Sequence, residues 1–150
     1  MTAEPPRTYQ QRKEDTLARL ASDVDAWVAS ADRHGDVYLV PLSFLWDGTA
    51  ITVTTPESSR TARNLRSGAR ARLGIGPTRD VVLIDGTVEE FSLETVPDGL
   101  ARAFAEKLWD PRGEADRYAY FRITPQRIQA WREVNELAGR DLMRQGTWLS

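Results

Sequence analysis

The run Thr54-Thr55-Pro56-Glu57-Ser58-Ser59-Arg60-Thr61-Ala62-Arg63-Asn64 sets hydroxyl and guanidinium groups side by side. Ser58 or Ser59 can cap a helix through Ala62, Asn64 and Leu65 that Gly68 can end. A helix start leaves backbone N–H groups without acceptors and carries partial positive charge. Arginine adds a planar fork that grips phosphate at two points. Arg60 and Arg63 lie three apart, so they share a face if the segment is helical. The chemistry this describes is capture of a phosphate or similar anion. The competing reading is a solvated helix whose arginines face water or pair with acids, and residue types alone leave both open.

The surrounding charge favours a local anion site. Arginine outnumbers lysine 18 to 2 in the chain. Between Pro56 and Asp80 stand Arg60, Arg63, Arg66, Arg70, Arg72 and Arg79 against Glu57 and Asp80, a local charge of +4. The remainder holds 14 basic and 20 acidic residues, −6, and the whole chain carries −2. A general nucleic-acid binder shows an overall basic excess, so nucleic acid is not an expected partner. No glycine-rich P-loop or G-x-G-x-x-G accompanies the cluster, which sets aside Walker and Rossmann sites. The chain has no cysteine, which excludes disulfide scaffolds, thiolate metal sites and cysteine nucleophiles. With one histidine, His34, a metal site would need mostly carboxylates, and none is expected. Glu89 and Glu90 are adjacent in a strand pattern and point to opposite faces. Glu133 and Glu136 read as a solvated helix face beside Arg132 and Arg140.

The elements that would position these groups follow from periodicity. The length of 150 residues fits one domain, and 41% hydrophobic with 28% charged residues suits a globular chain. Residues 1–12 read as a flexible lead and 13–150 as a single domain. Leu17, Leu20 and Val24 predict an amphipathic helix from Lys13 to Val24. Strands follow over Ala26–Ala31, Val37–Trp46 and Ile51–Thr55, joined by the Asp32–Asp36 turn and an Asp47-Gly48 hairpin. Beyond the Pro56–Gly68 segment, Ala71, Leu73 and Ile75 alternate as a strand. Val81–Phe91 makes a longer one with a bulge at Asp85-Gly86. Pro97–Trp109 reads as a helix, Tyr118–Ile123 and Gln126–Arg132 as strands, and Glu133–Leu149 as a polar tail. The fold class is mainly β with flanking helices, as an antiparallel barrel. Val37–Trp46 is the most apolar stretch and too short to span a bilayer as a helix. Met1–Gln11 lacks the apolar core of a signal peptide, so a cytoplasmic location is expected and no membrane partner.

Taken in order, several segments resemble the pyridoxamine-phosphate-oxidase-like family of flavin-binding split β-barrels. They are Trp27-Val28-Ala29, Val40-Pro41-Leu42-Ser43-Phe44-Leu45-Trp46-Asp47-Gly48, Thr54-Thr55-Pro56, Ser59 through Leu65, Ala71-Arg72-Leu73 and Val82 through Glu89. The resemblance implies a split β-barrel of six to seven mostly antiparallel strands. It also implies a homodimer with the cofactor at the subunit interface. It places Val40, Leu42 and Ser43 near the isoalloxazine ring, and Thr54, Thr55, Ser59, Arg60 and Arg63 around the phosphate. Asn64 positions the helix, and Arg79, at the next turn, joins the phosphate set. True pyridoxamine phosphate oxidases carry a short Arg-Leu-containing ending that Gly146-Thr147-Trp148-Leu149-Ser150 does not match, so that oxidation is not expected. An arginine-rich groove suits the anionic tail of a deazaflavin coenzyme of the F420 type, which is favoured over FMN. The implied activity is hydride transfer from the reduced cofactor to a small unsaturated or carbonyl substrate. The alternative is a non-catalytic flavin or haem storage protein on the same barrel.

Tyr38, Tyr118 and Tyr120 are candidate proton donors, against the plainer reading of barrel packing with polar tips outward. His34 reads as a surface-turn residue. Trp27 and Trp46 read as core or dimer-interface residues. Trp109, Trp131 and Trp148 are open between a substrate pocket and a subunit contact.

Overall fold

The computed structural model describes residues 4–150. Residues 1–3 of the expected lead lie outside the described residues. Helix α1 spans Tyr9–Ser22, four residues earlier than the leucine pattern predicts. The cause is a capping box: the Thr8 hydroxyl accepts from Gln11 N, and the Gln11 side chain accepts from Thr8 N. Strands β1 (Asp25–Ala31), β2 (Val37–Trp46) and β3 (Ile51–Pro56) then form an antiparallel meander. Helix α2 (Arg60–Gly68) leads into β4 (Arg70–Ile75) and β5 (Val81–Phe91). Helix α3 (Asp98–Lys107) precedes β6 (Tyr118–Trp131), β7 (Asp141–Arg144) and β8 (Thr147–Trp148).

The strand order β3-β2-β1-β4-β5-β6 closes on itself through β3–β6 pairing, giving a six-stranded antiparallel barrel. This is the mainly β, split-barrel architecture expected. The split lies where β3 leaves β2. Their pairing covers only Phe44–Trp46 with Ile51–Val53, while β3 pairs with β6 along its whole length. Val37–Ser43 of β2 therefore has β1 as its single strand neighbour.

The barrel interior buries Val28, Phe44, Ile51, Val53, Leu73, Ile84, Phe121, Ile123 and Ile128. Each such side chain contributes about 1.5–3 kcal/mol by leaving water. A second layer forms outside the barrel, where α3 lays Ala101 and Phe104 over Leu45 and Tyr120. Phe104 and Tyr120 meet edge to face at 5.7 Å. Tyr120 is fully buried and its hydroxyl has no partner, so its tip points inward under α3 rather than outward.

Two further expectations are corrected. Tyr118–Ile123 and Gln126–Arg132 are one continuous strand, because the interruption at Pro125 falls opposite the Asp85/Gly86 bulge. Glycine is required there: a Cβ on Gly86 would lie 2.6 Å from Ile123 Cγ2 and 2.7 Å from the Thr124 carbonyl oxygen. The expected polar tail is instead ordered as β7 and β8 on the far half of β6. Within it Glu136 is 2% exposed rather than solvated. It accepts from Arg7 Nε at 3.0 Å, Arg7 Nη2 at 2.8 Å and the Arg132 amide at 2.8 Å. Arg12, 4% exposed, donates to the carbonyls of Ala130, Glu136 and Gly139. The start of α1 is thereby bound to the end of the barrel.

The Arg7 hydrogen bonds hold the Glu136 carboxyl down at about 2, against an ordinary 4.5. The unfolded chain takes up that proton first, so this contribution to stability is full above pH 4.5 and lost as pH falls toward 2. Glu136→Gln should flatten the acid limb of a plot of Tm against pH. At neutral pH it should cost on the order of 3 kcal/mol in urea unfolding, by leaving Arg7 with a weakened partner. An unchanged acid limb would show that another carboxylate governs it.

Candidate functional site

The split between β2 and β3 opens a cavity of about 430 Å³. Leu42 and Ser43 of β2 line one side, with Pro41 and Asp25, and Thr54, Thr55 and Pro56 of β3 line the other. Trp109 and Tyr118 form an aromatic wall, their rings edge to face at 5.0 Å. Trp109 follows directly on the end of α3, which is fastened by Lys107 Nζ donating to the Asp23 carbonyl at 2.8 Å. The same ammonium sits 4.6 Å over the Phe44 ring, and burial lowers its pKa.

The start of α2 adjoins the cavity through Thr55. Thr55 Oγ1 and Ser59 Oγ are 3.0 Å apart, and Ser59 caps the helix by accepting from Ala62 N at 3.1 Å. By helix geometry the amides of Arg60 and Thr61 have no intrahelical acceptor. Asn64 is buried on the far side of the helix and donates to Ser30 Oγ at 3.2 Å, tying α2 to β1. Ala69, not Gly68, adopts the left-handed conformation that ends the helix.

The six arginines separate into two groups. Arg66 pairs with Glu90, Arg72 with Asp85 and Arg79 with Glu133. Arg60, Arg63 and Arg70 have no carboxylate within ion-pair distance among the described residues. The Arg60 guanidinium lies 5.0 Å over the Tyr38 ring, and Arg63 Nη1 donates to the Ser58 carbonyl at 2.6 Å. Asp32 is the carboxylate that feels Arg60. It sits below its usual range chiefly because the Asp36 amide donates to it, with Arg60 a minor contributor. Two exposed guanidinium groups thus flank a helix start with free amides and a hydroxyl pair, an arrangement that can hold a phosphate.

Of the residues expected in the site, Leu42, Ser43, Thr54 and Thr55 line one cavity, and Ser59, Arg60 and Arg63 stand beside it. Val40 shares the inward face of β2 with Leu42, and both pack against the core, but Val40 does not line the cavity. Ser43 lies on the opposite face and donates to Asp25 Oδ1 at 2.8 Å. Arg79 does not join the group. It lies in the turn beyond Ile75, at the opposite end of β4 from α2, and the strand alone separates them by about 17 Å. Trp109, open in sequence between a substrate pocket and a subunit contact, and Tyr118, a candidate proton donor, both line the cavity; Asp25 is a wall residue that the sequence does not single out, because it comes from a remote segment. Trp131 instead meets Arg140, and Trp148 meets Lys13. His34 is exposed in the β1–β2 turn.

The family model for pyridoxamine 5'-phosphate oxidase matches residues 13–132. The chain belongs to the pyridoxamine 5'-phosphate oxidase family. No curated protein matches the chain in sequence. Among solved structures, a haem storage protein, HutZ, from Vibrio cholerae is similar at TM-score 0.67 and 12% identity, over 90% of this chain and 98% of that one. An F420 reductase is similar at TM-score 0.60 and 16% identity, over 74% and 93%. An FAD-binding protein from Mesorhizobium loti is similar at 0.58 and 17%, over 77% and 89%. At these identities the likeness is one of fold alone.

The anion reading of the α2 start is tested with inorganic phosphate. Phosphate should raise Tm relative to sodium chloride of equal ionic strength, since a ligand of the folded state stabilises it. In an Arg60→Ala/Arg63→Ala double variant that rise should vanish, while stability without phosphate stays within about 0.5 kcal/mol. Unfolding of the variant would make both arginines structural and sink the assignment.

Proposed function

We propose that this protein is a flavin-type oxidoreductase, passing a hydride from a reduced deazaflavin of the F420 type or FMN to a small unsaturated or carbonyl compound. The observation that carries the reading is the pair Arg60 and Arg63, left without acids in the first turn of α2, whose cap Ser59 meets Thr55 in the lining of an open cavity of mixed polar and apolar character. Their fit to a phosphate-bearing cofactor is chemical: two-point donors, free amides and hydroxyls for the phosphate, and Leu42 with Thr54 and Thr55 for an uncharged ring. When bound, such a ring supplies two-electron chemistry that no side chain of this protein supplies.

The chain's own part is to bind, orient and exclude water. Arg60 and Arg63 fix the anionic end, while Leu42, Pro41 and Trp109 keep the ring end dry. Tyr118 is the phenol that lines the cavity, so a proton moves there from Tyr118 Oη or from water. Tyr120 is beneath α3 and serves packing. A homodimer completes the site in this reading. Trp27, Leu39 and Val37 are 53%, 57% and 80% exposed. They share the outer face of the β1–β2 ribbon with Pro41 at the cavity edge.

Titration of the full chain with the deazaflavin coenzyme, FMN and haem, followed by fluorescence and absorbance, tests the cofactor class. One of the two flavin-type cofactors should bind at least about ten-fold tighter than haem. A preference for haem would overturn the reading in favour of storage. Sedimentation should show a dimer that Trp27→Glu converts to monomer with its far-UV spectrum intact. A monomeric wild type would remove the interface.

A further inference from the structure

A second open cavity, of about 340 Å³, lies between α1 and the ends of β5 and β6. It shares no lining residue with the cavity between β2 and β3. Arg7, Arg19 and Arg132 line it, and so do Asp15, Asp23 and Asp80, so the charges of these six cancel. Their pairing is incomplete. Arg7–Asp80, Arg19–Asp23 and Arg132–Asp15 each stand at 3.8 Å, too far for a hydrogen bond. The Arg132 guanidinium also lies 3.3 Å from Asp80, yet it donates no aligned hydrogen bond among the described residues. Thr16, 1% exposed, belongs to the lining, and its hydroxyl has no hydrogen-bond partner. Val82 and Ala130, partners across β5 and β6, add a small buried apolar patch.

This lining selects by charge. A lone anion drawn to Arg132 also meets Asp15 and Asp80. A lone cation drawn to Asp15 also meets Arg7 and Arg132. A molecule that carries both signs answers both. The Arg132 fork suits a carboxylate at two points. Asp15, half exposed, has capacity to accept from an ammonium group. The 3.8 Å between Arg132 Nη2 and Asp15 Oδ2 calls for two charges on adjacent atoms of the ligand, as an α-amino acid carries them. Beside them, Val82 and Ala130 suit a short aliphatic side chain.

We propose that this cavity is a binding site for a small aliphatic α-amino acid. Its carboxylate lies on Arg132, its ammonium on Asp15 and its side chain toward Val82 and Ala130, and the Thr16 hydroxyl supplies a further hydrogen bond. The site is independent of the cofactor reading. The network that surrounds it is already held in place, because Arg7 is bound to Glu136 and Arg19 to Asp80. A preformed lining loses little conformational freedom on binding.

Titration calorimetry of the full chain tests this with L-valine and its two single-charge counterparts. Isovalerate lacks the ammonium, and isobutylamine lacks the carboxylate. Valine should bind at least about ten-fold tighter than either. Arg132→Gln should weaken valine about ten-fold and Asp15→Asn about five-fold. Thr16→Val removes a hydroxyl without a partner, so it should leave Tm no lower and still weaken valine about three-fold. Circular dichroism confirms that each variant folds; should Arg132→Gln fail to fold, Asp15→Asn and Thr16→Val decide. Saturating FMN should leave valine affinity unchanged. No binding of valine up to about 10 mM would leave the cavity to water and overturn the proposal. So would equal binding of isovalerate, which marks a plain anion site, unchanged affinity in the variants, or competition by FMN. Failure of FMN to bind while valine shows this pattern would sink the cofactor reading alone.

Discussion

Strand β3 hydrogen-bonds to β6 along all of Ile51–Pro56 but to β2 only across Ile51–Val53. A strand has two edges, and this unequal allocation opens the barrel on one side. Val37–Ser43 keeps one edge without a strand partner, and the amides and carbonyls of such an edge are open to partners from outside the sheet. Water, a ligand or a second copy must meet them. The same divergence sets Leu42 opposite Thr54 and Thr55 across a cavity instead of in a ladder. It also leaves the end of the barrel for α2 to close, which the Asn64–Ser30 bond secures. The cavity and the exposed start of α2 beside it are therefore two outcomes of one change of strand partner.

Most of the arginines hold the structure together. Arg7 and Arg12 bind Glu136 and three backbone carbonyls. Arg7, Arg19 and Arg132 surround Asp80. Removing water from such groups is costly, and it is tolerated because nearly every donor reaches an acceptor. Against that background of pairing, two first-turn arginines without acids carry information that the total of 18 does not.

The barrel was legible wherever local pattern and local structure agree. Alternation marks β1 to β5, Asp47-Gly48 the hairpin, and Ser59 the cap of α2. It was not legible where distant contact overrides local chemistry. Pro125 reads as a strand break, yet the bulge at Asp85/Gly86 gives it a place in β6. Glu136 reads as a solvated acid, and only Arg7, 129 residues away, makes it a buried one. The start of α1 was missed for a local reason, the Thr8–Gln11 box, which the leucine spacing does not report. Arg79 was assigned by its place among other arginines, although a whole strand separates it from α2.

The same division runs through the site. The candidate anion site is built from Thr55 to Asn64, where neighbours in sequence are neighbours in space, so residue types alone suggest it. The wall is built from Asp25, Pro41, Leu42, Trp109 and Tyr118, five positions that meet only because β2 parts from β3 and α3 is pinned to the loop at Asp23. The two parts answer to different forces, charge-assisted hydrogen bonding in one and aromatic packing in the other. They also share no side chain. A change at Trp109 or Asp25 therefore alters the cavity wall without touching the side chains at the start of α2.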